Sequence, residues 1–384
     1  MADVVLNYSE NEGYNFYNFV IPIYGSSRYF TAKNIEYVED LSAEKIFYCP
    51  MRISQDVNKQ RNYITNEVCE LVRQKKMILL IDCSFEGNVK YIENWWESVG
   101  NYFKFTPDQV IFLTGAYAEH LYPDYNVIAV NLFEMKTVYE YKRQLPPLPT
   151  KYERKKFVCL NRLGKPHRTY FVLGMLERNL LDHAHWSYCN TDGAELTVPE
   201  VHRRLDHPMF EQTNSYSDQL ISEFIDKVPH TPDGIISHDG HRQPEELFSN
   251  MYQNVDFMVI PETIYESTEG IFFTEKTFKA IVNGKPLVML GQQGMIDKLR
   301  KRGYDTFDYI IDHSYDHAPD SKRAQMVLDE TERLCNVDFS KFSDRIRESG
   351  EHNKRVALDE SRYLLDIQHV HNRIFEIVQK NLTH

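Results

Sequence analysis

Cysteine is scarce and scattered. The six, at positions 49, 69, 83, 159, 189 and 335, include no Cys-x-x-Cys pair, so neither a zinc ribbon nor a dithiol redox motif is supported. Cys83 and Cys159 each lie inside an apolar run and read as buried thiols of a reducing compartment. No Gly-x-Gly-x-x-Gly, Walker A or Gly-x-Ser-x-Gly occurs, which demotes dinucleotide oxidoreductases, P-loop nucleotide hydrolases and α/β-hydrolases. Asp-x-Asp is missing as well, and with it the metal clamp of one large transferase class. No apolar run approaches the roughly 18 residues of a membrane helix. The start, MADVVLNYSENEG, has no basic region followed by an apolar one. A soluble, cytoplasmic chain without a membrane partner is therefore expected, in the host cytoplasm if the chain is viral. There is neither a repeat of solenoid period nor a low-complexity tract.

Positive charge does not dominate either. Against 44 Lys and Arg stand 56 Asp and Glu, a net charge of -12, which argues against a general nucleic-acid coat but leaves room for a local basic groove. With 42% hydrophobic residues the chain is not disordered, and 384 residues exceed one ordinary core, so two domains are expected. The 25 Tyr and 22 Phe supply packing and sugar-stacking surfaces alike.

From residue 46 onward, short apolar runs alternate with segments of helical spacing. Strands are expected at 46–49, 77–81, 110–113, 127–130, 157–160, 186–188, 255–260 and 287–290. Helices are expected at 62–74, 91–103, 169–181, 244–255, 275–282, 295–302 and about 350–380. Residues 19–23 suggest a further strand, and 193–243 an insertion of short helices and loops. Such alternation predicts parallel, doubly wound α/β sheets. Pro146, Pro147 and Pro149 stiffen a connector, which divides the chain into 1–148, 149–350 and a tail, 351–384, whose helix can cross back to the first domain.

The richest stretch is 254–291. A buried-type strand stops at Pro261-Glu262, an acidic loop follows with Glu262, Glu266 and Glu269, and Thr274 stands where a helix cap belongs, before Glu275 and Lys276. The first turn of a helix attracts anions, and Lys276 and Lys279, three apart, share a face there. Two ammonium groups beside free N–H groups would cradle a diphosphate, and carboxylates at a strand's carboxyl end would take sugar hydroxyls. A capped helix with solvated lysines is the alternative. A second basic loop, Asn161-Arg162-Leu163-Gly164-Lys165-Pro166-His167-Arg168, also follows a strand and opens a helix, with Pro166 suited to its first turn. A solvated basic loop is its alternative. In the first half, Asp82 and Glu86 follow an apolar run, where a carboxylate could take a proton from an acceptor hydroxyl; a capped turn is the competing reading. His238-Asp239-Gly240-His241 lacks ligand spacing for a metal, and none is expected.

Residues 272–288, FFTEKTFKAIVNGKPLV, resemble the nucleotide-sugar motif of GT-B glycosyltransferases, nearest to fucosyltransferase-like and phage-encoded members: Thr-Glu-Lys at a helix start, then Gly-x-Pro before a strand. CLNRLGKPHR at 159–168 and GYDTF at 303–307, with IDHSYD at 311–316, look like that group too. The resemblance covers about 155–320. It reaches the first half only through Ile81-Asp82 and Glu86-Gly87. It implies two Rossmann-like domains facing across a cleft, donor in the second, and transfer of a sugar from a nucleoside diphosphate without a metal or other cofactor. Arg162, Lys276 and Lys279 would then contact diphosphate, with Asn161, Lys165, His167, Arg168 and Thr274 around them. Glu275 would hold ribose or orient a lysine, Glu262 and Glu266 would face the sugar, and Asp82 would be the base, with Glu86 second. A hydroxymethylated pyrimidine in phage DNA is the acceptor the phage flavour points to, with Lys151, Arg154, Lys155 and Lys156 available to DNA. A surface glycan or protein is the competing acceptor, and a non-catalytic nucleotide-sugar-binding module the competing function.

Overall fold

The computed structural model describes residues 6–7, 46–50, 64–84, 87, 89–136, 152–189, 196–210, 216–232, 250–267 and 270–381. The expected junction at 148/149, the strand suggested at 19–23, Glu86, Glu269, Lys151 and residues 238–241 lie outside them. Two compact units emerge. One combines Met1–Lys136, Thr268–Phe273 and Asp359–His384, and the other Thr137–Ser267 and Thr274–Leu358.

The first unit holds five parallel strands, β1 (Leu6–Asn7), β2 (Ile46–Pro50), β3 (Ile78–Cys83), β4 (Val110–Thr114) and β5 (Asn126–Ala129), lying side by side in chain order. Every residue of β3 and β4 is buried, as their unbroken apolar runs demand of central parallel strands. Helix α1 (Asn66–Arg73) starts at Thr65, whose hydroxyl accepts from Val68 N at 3.2 Å, and buries Val68, Cys69 and Val72. Helix α2 (Lys90–Trp95) continues through a π turn at Trp96–Gly100 to Phe103 and ends where Lys104 turns left-handed, φ 60°. Residues 270–273 belong here too. Tyr117 N donates to Ile271 O at 2.8 Å, and Phe272 meets the Phe133 ring edge-on at 5.7 Å. A side chain at Gly87 would stand 2.1 Å from the Phe272 ring, so only glycine fits there.

The tail forms two helices rather than one. Ser343–Leu358 belongs to the second unit, and the closing helix, Glu360–Asn381, to the first. They part at Asp359, whose carboxylate accepts from Ser361 N at 3.0 Å and so caps a fresh start. The closing helix buries Tyr363, Ile367, Val370, Ile374, Ile377 and Val378 along one stripe. Arg362 lies 3.6 Å from the buried Glu134, and Asn381 Nδ2 donates to Asp108 O at 2.9 Å.

In the second unit β6 (Lys155–Asn161), β7 (Ala184–Tyr188), β8 (Val255–Pro261) and β9 (Leu287–Leu290) make a parallel sheet in the order β7-β6-β8-β9. From β6 the chain lays β7 on one side and later β8 on the other, so the winding reverses between β6 and β8. This is the doubly wound arrangement expected; the described strands of the first unit show no such reversal. The helices are α3 (Pro166–Glu177), α4 (Val198–Leu205), α5 (Asp218–Lys227), α6 (Asn250–Gln253), α7 (Glu275–Val282), α8 (Met295–Lys301), α9 (Asp320–Cys335) and α10 (Ser343–Leu358). Pro166 opens α3 as expected, whereas the helix expected to reach 255 stops at Gln253, because Val255 already pairs with Lys155. The turn after α7 meets α10 glycine to glycine: a Cβ on Gly350 would lie 2.7 Å from Gly284 O. Among the described residues no helix is long and apolar enough to cross a membrane.

Candidate functional site

Where a parallel sheet reverses its winding, the loops after the two diverging strands lean apart and leave a crevice at the carboxyl ends. In the second unit those strands are β6, which ends in Asn161, and β8, which runs into Glu262 and Thr263. Both basic loops reach Thr263. Lys165 Nζ donates to Thr263 O at 2.6 Å, and Lys276 Nζ lies 3.5 Å from Thr263 Oγ1. Lys276 also donates to Thr274 Oγ1 at 3.2 Å and to Glu275 Oε1 at 2.9 Å. Burial alone would raise the Glu275 carboxyl, but the charges of Lys276 and Lys279, with the Lys276 hydrogen bond, outweigh it and hold the group at about 2. Thr274 caps α7 as the sequence predicts, its hydroxyl accepting from Lys276 N. Arg162 is exposed, Lys279 half-buried. Asn161 is buried, its N donates to Ser187 Oγ at 2.9 Å, and its Oδ1 has no partner among the described residues.

Three residues expected to meet ligand are committed elsewhere. Glu262 is fully buried. Its Oε1 accepts from Thr274 N and Thr277 Oγ1, and its Oε2 from Thr263 N and Thr274 Oγ1. The carboxylate thus ties the β8 loop to the start of α7 instead of facing a sugar. Arg168 is 3% exposed and donates from Nη2 to Pro261 O and Glu262 O, at 3.0 and 2.9 Å. His167 is equally buried, stacks on Tyr265 at 5.1 Å, and bonds Glu262 O through Nε2. Burial, then the neighbouring Arg168 charge, holds its imidazole well below the usual range, so it adds no cation at neutral pH. Glu266 is half-buried, 3.7 Å from His207 Nδ1.

Asp82 sits inside the first unit's sheet with no exposure, and its Oδ1 accepts from Ser84 N at 3.0 Å. This is the capped turn, the competing reading given above, and no reversal of winding opens a crevice beside it among the described strands. The basic run before β6 is also spoken for. Arg154 Nη2 pairs with Asp256 at 2.5 Å, Lys156 lies 3.6 Å from the same carboxylate, and Lys155 pairs with Glu153 at 3.3 Å. The buried-thiol reading of Cys83 and Cys159 holds, and burial pushes the Cys159 thiol up to about 12.

Other residues behind the site gave no local signal. Arg204, nearly buried, donates to the Tyr188 hydroxyl at 2.9 Å; that hydroxyl meets Thr169 Oγ1 at 2.7 Å, which donates to Lys165 O at 3.1 Å. This relay braces the β6 loop from α4. Thr263 and Thr277 were readable only as strand-end and helix residues. A metal could be held, among the described residues, by Asp297, Asp316 and His317, but Asp316 already accepts from Ile296 N and Asp297 N, and Arg300 pairs with Asp297 at 2.6 Å.

His167 and His313 give this unit an acid limit. His313 is buried between Tyr315 OH and Thr306 O, each at 2.7 Å, and burial lowers its pKa as it does that of His167. Both are favoured neutral in the fold, whereas an unfolded histidine gains its proton near pH ~6.5. Stability is therefore complete above that pH and declines as pH falls below it, by ~1.4 kcal/mol for each unit separating folded and unfolded pKa. The urea midpoint of the wild type will drop between about pH 7.5 and about pH 5, on either side of the unfolded histidine's pKa, and H167Q, which keeps a donor for Glu262 O, will show a shallower drop. Parallel pH profiles for the two proteins would contradict this account.

No family model matches the chain, and no curated protein matches it. Among solved structures the chain is similar to the catalytic domain of starch synthase IV from Arabidopsis thaliana bound to ADP and acarbose. The identity is 12% and the TM-score 0.29, over 83% of this chain and 68% of that one, and a likeness at that score carries no argument about what this chain binds.

Proposed function

We propose that the chain is a glycosyltransferase that holds the diphosphate of a nucleoside-diphosphate sugar at the β6/β8 switch point. The observation that carries this reading is the meeting of Lys165 and Lys276, from two separate strand-to-helix loops, on Thr263 at the carboxyl ends of β6 and β8. The open acceptor of buried Asn161 and the Thr-Glu-Lys helix start, which resembles the nucleotide-sugar motif, support it.

In this proposal Lys276, Lys279 and the exposed Arg162 take the diphosphate, Lys165 fixes Thr263, and Glu275 holds Lys276 or the ribose. Glu266, 3.7 Å from His207 Nδ1, faces the sugar. Attack by the acceptor hydroxyl breaks the bond between the anomeric carbon and the diphosphate oxygen. The negative charge left on that oxygen is met by the ammonium groups and the positive end of α7. Of the carboxylates suggested for the acceptor proton, Glu86 is retained from the sequence pattern, and Asp82 is set aside because its oxygen caps the Ser84 turn.

A second observation supports a choice of acceptor. With Arg154 and Lys156 sharing Asp256 and Lys155 on Glu153, little positive charge is left for DNA among the described residues of that run, and DNA binding depends on neutralised phosphates. That favours a glycan or protein hydroxyl over a hydroxymethylated pyrimidine. Labelled sugar nucleotides incubated with hydroxymethylated DNA and with a glycan panel will give transfer to glycan. Transfer to the DNA alone would reverse the choice of acceptor, and a thermal shift with nucleotides but no turnover on either would leave a binding module. K276A should lower kcat/KM by about 100-fold, the scale for removing one transition-state donor; an unchanged value would remove the site from the reaction.

A further inference from the structure

We propose that Thr274 and Glu262 are positioning residues for Lys276, acting through the direction of one hydroxyl proton. The inference rests on the nucleotide-sugar reading for its consequence, but not for its geometry. Glu262 is buried and acceptor-only as a carboxylate. Because Thr274 Oγ1 lies 2.6 Å from Glu262 Oε2, the threonine must spend its single proton on that bond. Both of its lone pairs then face away from Glu262. They accept from Lys276 N at 3.4 Å and from Lys276 Nζ at 3.2 Å, which fills a hydroxyl's capacity of one donor and two acceptor positions.

Lys276 is matched in the same way. An ammonium group has three N–H donors, and three acceptors surround it: Glu275 Oε1 at 2.9 Å, Thr274 Oγ1 at 3.2 Å and Thr263 Oγ1 at 3.5 Å. The two longer contacts fall on residues that Glu262 holds, Thr274 through its hydroxyl and Thr263 through its N–H. A flexible four-carbon side chain is thereby fixed beside Thr263, just past the end of β8, before any anion arrives, which lowers the ordering cost of binding. The isostere E262Q disturbs this whichever way its amide turns. With the amide nitrogen at the Oε2 position it faces the Thr263 N–H and obliges Thr274 to accept, so the threonine proton swings toward Lys276. With the nitrogen at the Oε1 position it faces the Thr274 N–H, a donor that cannot reverse.

Two readouts keep the positioning inference separate from the functional reading. In the first, without any ligand, Lys276 is acylated with an N-hydroxysuccinimidyl acetate and the rate is followed by mass spectrometry. T274V and E262Q should react about threefold to tenfold faster than the wild type, in proportion to the hydrogen bonds released, while T274S, which restores the hydroxyl, should react at the wild-type rate. Equal rates in all four proteins overturn the inference. In the second, UDP, GDP, ADP and inorganic pyrophosphate are titrated calorimetrically. T274V should weaken the best of these ligands by about tenfold, and T274V/K276A should be no weaker than K276A, since residues acting as a unit are not additive. Additive losses overturn the inference as well. If no protein binds any of the four ligands, the diphosphate reading fails, and the acylation rates still decide the positioning role.

Discussion

Removal of residues 359–384 will unfold the first unit and leave the second folded. The closing helix contributes six buried side chains, Tyr363, Ile367, Val370, Ile374, Ile377 and Val378. At ~1.5–3 kcal/mol for each buried large apolar side chain, their loss amounts to about 9–18 kcal/mol, comparable with the ~5–15 kcal/mol that holds a whole domain together. The ends of the helix are tied as well, by Arg362 near buried Glu134 and by Asn381 on Asp108 O. Hydrogen exchange followed by mass spectrometry is the direct check. Amides of β3 and β4 should lose their protection in the truncated protein, while those of β6, β8 and β9 keep theirs. Ile374→Asp should show the same pattern in milder form. Protection of β3 and β4 that survives the deletion would mean that the helix is an ornament on a self-sufficient sheet.

The second large effect is expected at Arg323, which is 1% exposed. Its Nη1 donates to Tyr265 O and Gly291 O at 3.2 and 2.9 Å, and its Nη2 to Ala318 O, Ser267 Oγ and Asp320 Oδ1 at 2.9, 3.0 and 2.7 Å. One guanidinium thus joins the loop after β8, the turn after β9 and the start of α9. R323A strips three main-chain carbonyls of a donor, at ~1–3 kcal/mol each when buried, and opens a cavity besides. A loss of about 5 kcal/mol follows, in line with the ~3–5 kcal/mol for breaking a buried pair. R323K keeps the charge but not the planar fork and should recover part of the loss. R323M restores volume without donors and should remain well below the wild type in urea unfolding. If R323M were as stable as the wild type, packing rather than hydrogen bonding would explain the residue.

Much of the second unit was legible locally. The apolar run before Pro261, Thr274 ahead of Glu275 and Lys276, and Asn283-Gly284 before Leu287 each carry their own signal, and β8, α7 and β9 stand where those signals place them. Pro166 at the first turn of α3 is another. A reversal of winding was expected, but its place between β6 and β8 was not legible, since strand order depends on pairings between residues a hundred positions apart, such as Lys155 with Val255. Charge was visible but its fate was not. A sequence shows Arg168 and His167 as cations, whereas desolvation and the carbonyls of Pro261 and Glu262 decide what they do. The same holds for Glu262, whose carboxylate accepts four hydrogen bonds from three residues, up to 15 positions away. The break at Asp359 had a signal, a capping residue before Glu360-Ser361, which the continuous apolar stripe outweighed.

The first unit's make-up has a consequence for how the protein is born. Its strands leave the ribosome early and neighbour one another in order, so they can pair as they emerge. Residues 270–273 and the closing helix, which complete that unit, arrive only after most or all of the second has been translated. For much of synthesis, then, a sheet with bare apolar surface must wait, and such surface invites aggregation. A nascent chain stalled before residue 359 is the form on which a chaperone would find most to hold.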